Sequence, residues 1–196
     1  MKIKKISILI LINFFLFSNS YSLEADIFVQ STVNRASEIL SEETSKEKKI
    51  LKLQEIAKET VDIRGIGFYT LGSARKNLST EQKKKYSTLF EKYFLKSFSS
   101  RLAEYTNPQI DVLGKEVLSE KYTIVNSLLK GTENRPEVKI DWRIYTKDPQ
   151  NPLIRDLIIE GLSLARTQKE EFASILNSND GDINFLFQTL ENFSKN

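Results

Sequence analysis

Histidine and cysteine are both missing from the 196 residues. Without histidine the chain lacks the commonest general base at neutral pH and a leading zinc ligand. Without cysteine it has no disulfide and no attachment point for a lipoprotein anchor, so an exported form must be held together by its core. Four prolines and seven glycines leave no low-complexity segment, and no internal repeat is visible. Long apolar runs are absent as well. The longest, Ile6 to Phe17, is broken only by Ser7 and Asn13 and spans about 18 Å as a helix, well short of the roughly 30 Å core of a bilayer. Lys2, Lys4 and Lys5 precede this run, and Ser18 to Ser22 follow it with Ser20 and Ser22 placed for cleavage after Ser22. That is the layout of a cleavable secretory signal peptide over residues 1–22, with residues 23–196 forming a single domain.

Charge excess is also missing once the leader is set aside. The whole chain carries 29 Lys and Arg against 26 Asp and Glu, but three of those lysines and no acid lie in the leader. The mature chain is therefore neutral, and the isoelectric point near 8.9 describes the precursor. A nucleic-acid partner, which calls for a basic excess, is not expected.

What is present is periodic. Residues 24–44 place Ile27, Phe28, Val33, Ala36, Ile39 and Leu40 at helical spacing, and Lys46 to Thr60 carries a second stripe through Leu53, Ile56 and Ala57. The lysines between them, interleaved with glutamates, read as a solvated face. Asp62 is placed to cap a short helix over 63–71, with Gly72 ending it. Gly65 and Gly67 inside that helix point to close approach of another element or a ligand. Ser79-Thr80-Glu81-Gln82 is a capping box. The helix it opens runs to about Ala103 and lines up Tyr86, Phe90, Tyr93, Phe94 and Phe98 on one face.

After Pro108 the period changes to two. Residues 110–118, 121–130, 137–146 and 153–160 read as four strands of an antiparallel meander, clearest where Val138, Ile140, Trp142 and Ile144 alternate with Lys139, Asp141 and Arg143. Helices over 163–177 and 181–194 follow. The expected fold is α+β, with N-terminal and C-terminal helices packed on a curved four-stranded antiparallel sheet.

Candidate chemistry is thin. An enzymatic reading would rest on a carboxylate such as Asp141 or Asp156. Asp141 lies in the polar phase of its strand, and a surface position is expected for Asp156 and Glu160 too. Asn179-Asp180-Gly181-Asp182 lacks the spacing of a calcium loop and reads as a turn, and no metal or cofactor is expected. The surplus lies in apolar wall: an aromatic helix face opposite an apolar sheet face. That wall either packs into a solid core, as an interaction module requires, or encloses a cavity.

The run Leu71-Gly72, Ser79-Thr80-Glu81-Gln82, Phe90, Tyr93, Arg101-Leu102 and Tyr105 resembles the toluene-tolerance, or MlaC, family of periplasmic phospholipid-binding proteins. So does Asp156-Leu157-Ile158-Ile159-Glu160-Gly161-Leu162-Ser163. The resemblance covers about residues 25–192. The chain departs from the family pattern at Arg155, where a tyrosine is usual, and at Pro152-Leu153, where a tryptophan is usual. The resemblance implies a non-enzymatic carrier with a diacyl phospholipid in its interior. The implied partners are an inner-membrane ABC-transporter complex and an outer-membrane lipoprotein complex of Mla type. By phase, the expected cavity wall is Ile66, Leu71, Phe90, Phe94 and Phe98 from the helices and Val125, Leu129, Val138, Ile140, Trp142, Leu157 and Ile159 from the sheet. Arg64, Arg75 and Lys76 are the candidates for head-group contact.

Overall fold

The computed structural model describes residues 24–133 and 135–195, so the leader lies outside the described residues. Four helices come first: α1 (Ala25–Ser41), α2 (Lys46–Thr60), α3 (Ile63–Thr70) and α4 (Thr80–Leu102), with a single 3-10 turn at Ala74–Lys76 between the last two. Local chemistry sets most of their starts. Ser45 caps α2, the Asp62 carboxylate accepts from the Gly65 amide at 2.7 Å, and the Ser79–Gln82 capping box closes in both directions at 2.9 and 3.2 Å. Gly72 ends the α3 region with φ of +55°, the left-handed conformation expected after a helix.

The sheet follows in simple order: β1 (Ile110–Ser119), β2 (Tyr122–Leu129), β3 (Val138–Tyr145) and β4 (Leu153–Ile159), each antiparallel to its predecessor. A two-residue β5 (Leu162–Ser163) adds a fifth strand to the expected four, turning on Glu160 and Gly161, both at positive φ. Such a short strand has no period of its own, which is why the sequence shows no strand there and the helix is expected from residue 163. Helices α5 (Leu164–Asn177) and α6 (Ile183–Lys195) complete the chain.

One face of the sheet meets the helices. Ile140, Trp142 and Ile144 of β3 are buried in the core shared with the helices, while Asp141 and Arg143 between them are half-buried and Lys139 before them is exposed. Register shifts at Leu113 and Leu118 of β1 and at Arg155 of β4 insert extra residues, and such bulges bend a strand and increase its twist. Helix α4 runs between α2, α3 and α6 and carries the aromatic spine. Phe90 is the centre of that spine: Tyr86, Tyr93, Phe94 and Phe172 have ring centroids within 5.7 to 6.2 Å of it. Gly67 makes the α3–α4 contact possible, because a Cβ there would lie 2.8 Å from the Phe90 ring. The close approach foreseen at this glycine is therefore helix against helix.

Candidate functional site

Between the helices and the sheet lie two adjoining apolar cavities of about 300 and 350 Å³. The first runs along the outer half of α4 under α5, lined by Ile66, Phe90, Phe94 and Ser97 with Ala165 and Gln168. The second lies under α1 and α2, lined by Val33, Ala36, Leu53, Leu129, Ile140 and Ile159 among others. Phe98, Trp142, Ile154 and Leu157 line both and form a waist between them. Val61, Leu164 and Arg101 also line both, and Leu164 is 41% exposed. The waist therefore reaches solvent between the C-terminal end of α4 and the N-terminal end of α5.

The bulge at Arg155 builds this waist. In an uninterrupted strand Ile154 and Leu157 would face opposite ways. One extra residue between the Arg143–Asp156 and Ile144–Ile154 pairs turns both toward the helices. Arg155 itself is directed to Asp62, Nε to Oδ2 at 2.5 Å, and its guanidinium lies 4.5 Å from the Tyr145 ring centroid. The Asp62 amide donates to the Ile154 carbonyl at 3.0 Å, so the start of α3 is tied to the edge of β4. Trp142 is held in the waist by donating from Nε1 to Ser127 Oγ at 2.8 Å, and Ser127 in turn donates to the Ile140 carbonyl at 3.0 Å.

Asp156 corrects the surface position expected of it. It is 5% exposed, accepts from the Ser163 hydroxyl at 2.6 Å and from the Ala165 amide at 3.0 Å, and so holds the first turn of α5 against β4. The miss comes from the general rarity of buried carboxylates, because the partners that enclose this one, Ser163 and Ala165, lie beyond the following turn. Asp141 accepts from Asn126 Nδ2 at 2.8 Å on the face away from the cavities. Asp182 accepts from the Asn184 amide at the start of α6, which is turn chemistry. Among the described residues no cluster of acids is grouped to hold a metal ion, and no helix is long and apolar enough to cross a membrane.

Two tyrosines border the first cavity's aromatic wall. Tyr86 is fully buried and shares a 2.8 Å hydrogen bond with the Thr70 hydroxyl. Burial pushes its phenol far above the ordinary value, against the smaller opposing pull of that bond. Tyr93 donates to Gln168 Oε1 at 2.6 Å across the α4–α5 gap, and its phenol is also raised, chiefly by burial and then by the nearby Glu171.

A family model described as MlaC protein matches residues 30–192. The chain belongs to the MlaC family. Among solved structures it is similar to the phospholipid-binding protein from Ralstonia solanacearum, determined in complex with a phospholipid at 1.53 Å. That likeness has a TM-score of 0.74 at 19% identity, covering 88% of this chain and 98% of the other, and it establishes a shared fold. No curated protein matches the chain.

The MlaC-family cavity gathers most of the residues expected from phase. Ile66, Phe90 and Phe94 line the first lobe, Leu129, Ile140 and Ile159 the second, and Phe98, Trp142 and Leu157 both. Leu71 and Val125 are instead buried outside the two lobes, and Val138 packs on the core from the sheet's end. The three expected head-group cations line neither lobe. Arg64 stacks over Phe68 at 5.6 Å, and Arg75 and Lys76 lie in the 3-10 turn. Arg101 stands at the waist in their place, and its signal was its position three residues after Phe98 on the aromatic face of α4.

Proposed function

We propose that this MlaC-family chain is a periplasmic carrier that holds one diacyl phospholipid with an acyl chain in each lobe. The observation that carries this reading is the pair of apolar lobes joined at a waist that opens to solvent. Two chains leaving one glycerol fit two apolar compartments with a common entrance. Support also comes from the similar fold of a protein that binds a phospholipid. The energetics set the scale: burying an acyl chain of about 14 methylenes is worth about 11 kcal/mol, and two chains about twice that. Such a molecule does not leave a bilayer for water at a useful rate, so its passage between membranes needs a protein that keeps both chains dry.

The carboxylates an enzymatic reading would use have structural partners. Asp156 caps α5, and Asp141 is bonded to Asn126 on the far face of the sheet. Carriage without a covalent step is the simpler account of a cavity whose wall is apolar. The leader read over residues 1–22 supports a periplasmic location, and lipid is handed between an inner-membrane ABC-transporter complex and an outer-membrane lipoprotein complex of Mla type. Native mass spectrometry of protein purified from the periplasm tests the reading. It should show one diacyl phospholipid per chain, and a spectrum of bare protein alone would sink it.

A further inference from the structure

We infer that Arg101 binds the phosphodiester of the cargo and makes the carrier selective for phospholipids over neutral diacylglycerols. The inference rests on the proposed carriage of a diacyl lipid and adds to it which end of the lipid is recognised, and by what.

The argument is one of topology. If each lobe takes one acyl chain, the glycerol that joins the chains must sit where the lobes meet. The residues lining both lobes mark that place, and all but one of them are uncharged: Val61, Phe98, Trp142, Ile154, Leu157 and Leu164 are apolar. The exception is Arg101, and it is the sole cation among the described residues that line either lobe. The phosphate is attached to the third glycerol carbon, a few bonds from both ester carbons. A side chain at the lobe junction is thus within reach of it.

Arg101 is available for the contact. It is exposed, and none of the ion pairs among the described residues uses it. The acids in the lining are Asp156 and Glu171 of the first lobe and Glu104 of the second, and Asp156 is engaged by Ser163 and the Ala165 amide. Glu171 is engaged by the Gln168 amide at 2.8 Å. A planar guanidinium matches two phosphate oxygens at once, and a charge-assisted pair beside an apolar wall is stronger than one in open water. Phe98 and Leu164 supply that wall. The exposed position leaves the rest of the head group in solvent, so the contact reads the phosphodiester, the feature all phospholipids share, and not the alcohol beyond it.

The test offers the full chain, freed of its leader, equal amounts of phosphatidylglycerol and diacylglycerol with identical acyl chains in mild detergent. Bound lipid is counted by native mass spectrometry. The wild type should carry phosphatidylglycerol in at least about tenfold preference, the scale of one charge-assisted hydrogen bond. Arg101→Gln should bring the ratio close to one, Arg101→Lys should restore part of it, and Arg75→Gln, outside both lobes, should leave it unchanged. Circular dichroism melts of each variant confirm folding. An unchanged ratio in Arg101→Gln, or equal loss of both lipids, overturns the assignment to Arg101 while the cavity reading stands. A wild type that takes up neither lipid overturns the carrier reading and this inference with it.

Discussion

Replacing Asp156 with alanine removes two acceptors at once from the first turn of α5. The Ala165 amide, on a residue only 8% exposed, loses its 3.0 Å partner, and the half-buried Ser163 hydroxyl loses its 2.6 Å partner. A hydrogen bond to a charged group contributes about 1.5–3 kcal/mol, and an orphaned buried amide costs about 1–3 kcal/mol. Ser163 can turn its hydroxyl to water, so its share is the smaller one, and the total comes to about 3 kcal/mol. For a domain of this size that lowers the melting temperature by about 6–12 °C. Asp156→Asn keeps an oxygen for the Ala165 amide and should lose about 1 kcal/mol, the charge-assisted part. Because α5 carries Leu164, Ala165 and Gln168 at the lobe rim, the alanine variant should also release bound phospholipid faster than wild type. Thermal unfolding followed by circular dichroism gives the first result, and timed loss of lipid to empty vesicles gives the second. An alanine variant melting within about 1 °C of wild type would refute the capping role, since even one lost cap bond costs more.

Filling the lobes separates a cavity from a solid core. Ala36→Trp, in the second lobe, and Ser97→Trp, in the first, should each cut phospholipid occupancy severalfold with little change in melting temperature. A solid core would instead lose about 1–3 kcal/mol to overpacking and leave lipid content untouched. Asp62→Ala should cost about 1–2 kcal/mol in thermal unfolding by uncapping α3 and freeing Arg155, and a variant as stable as wild type would contradict the tie between α3 and β4. Alkaline pH supplies a further check. Burial raises the Tyr86 and Tyr93 phenols in the folded chain, while unfolded tyrosines ionise near about pH 10. Above that pH the unfolded chain holds fewer protons than the folded one, so stability is retained below about pH 10 and falls as the pH rises through it. Tyrosinate absorbance should therefore show delayed phenols that titrate together with unfolding, and full ionisation in the folded state would contradict their burial.

Much of the fold was legible because its signals are local. The bounds of α2, the Asp62 cap, the Ser79–Gln82 capping box and the alternation of β3 all depend on residues within a few positions of each other. The family resemblance and the apolar phase together located nine of the twelve expected wall residues on the lobes. The bulge at Arg155 was not legible, because a bulge is a property of two paired strands and not of one. Its consequence was hidden with it: Ile154 joined Leu157 in the waist, while the capping role of Asp156 depends on partners beyond the next turn. Leu71, Val125 and Val138 fell outside the lobes for a related reason, since phase gives the side of an element a residue faces but not where along it packing opens. The same limit passed over Arg101, an arginine in an apolar stripe, in favour of Arg64, Arg75 and Lys76, which line neither lobe.

Trp142 offers the most direct measurement. It is the single tryptophan of the chain, and it lines both lobes at the waist, where the proposed pose parts the two acyl chains. A phospholipid brominated along its acyl chains should quench tryptophan emission, with the loss saturating at one lipid per protein chain. Lipid that binds at the same stoichiometry without quenching Trp142 would place the cargo elsewhere and contradict the two-lobed pocket.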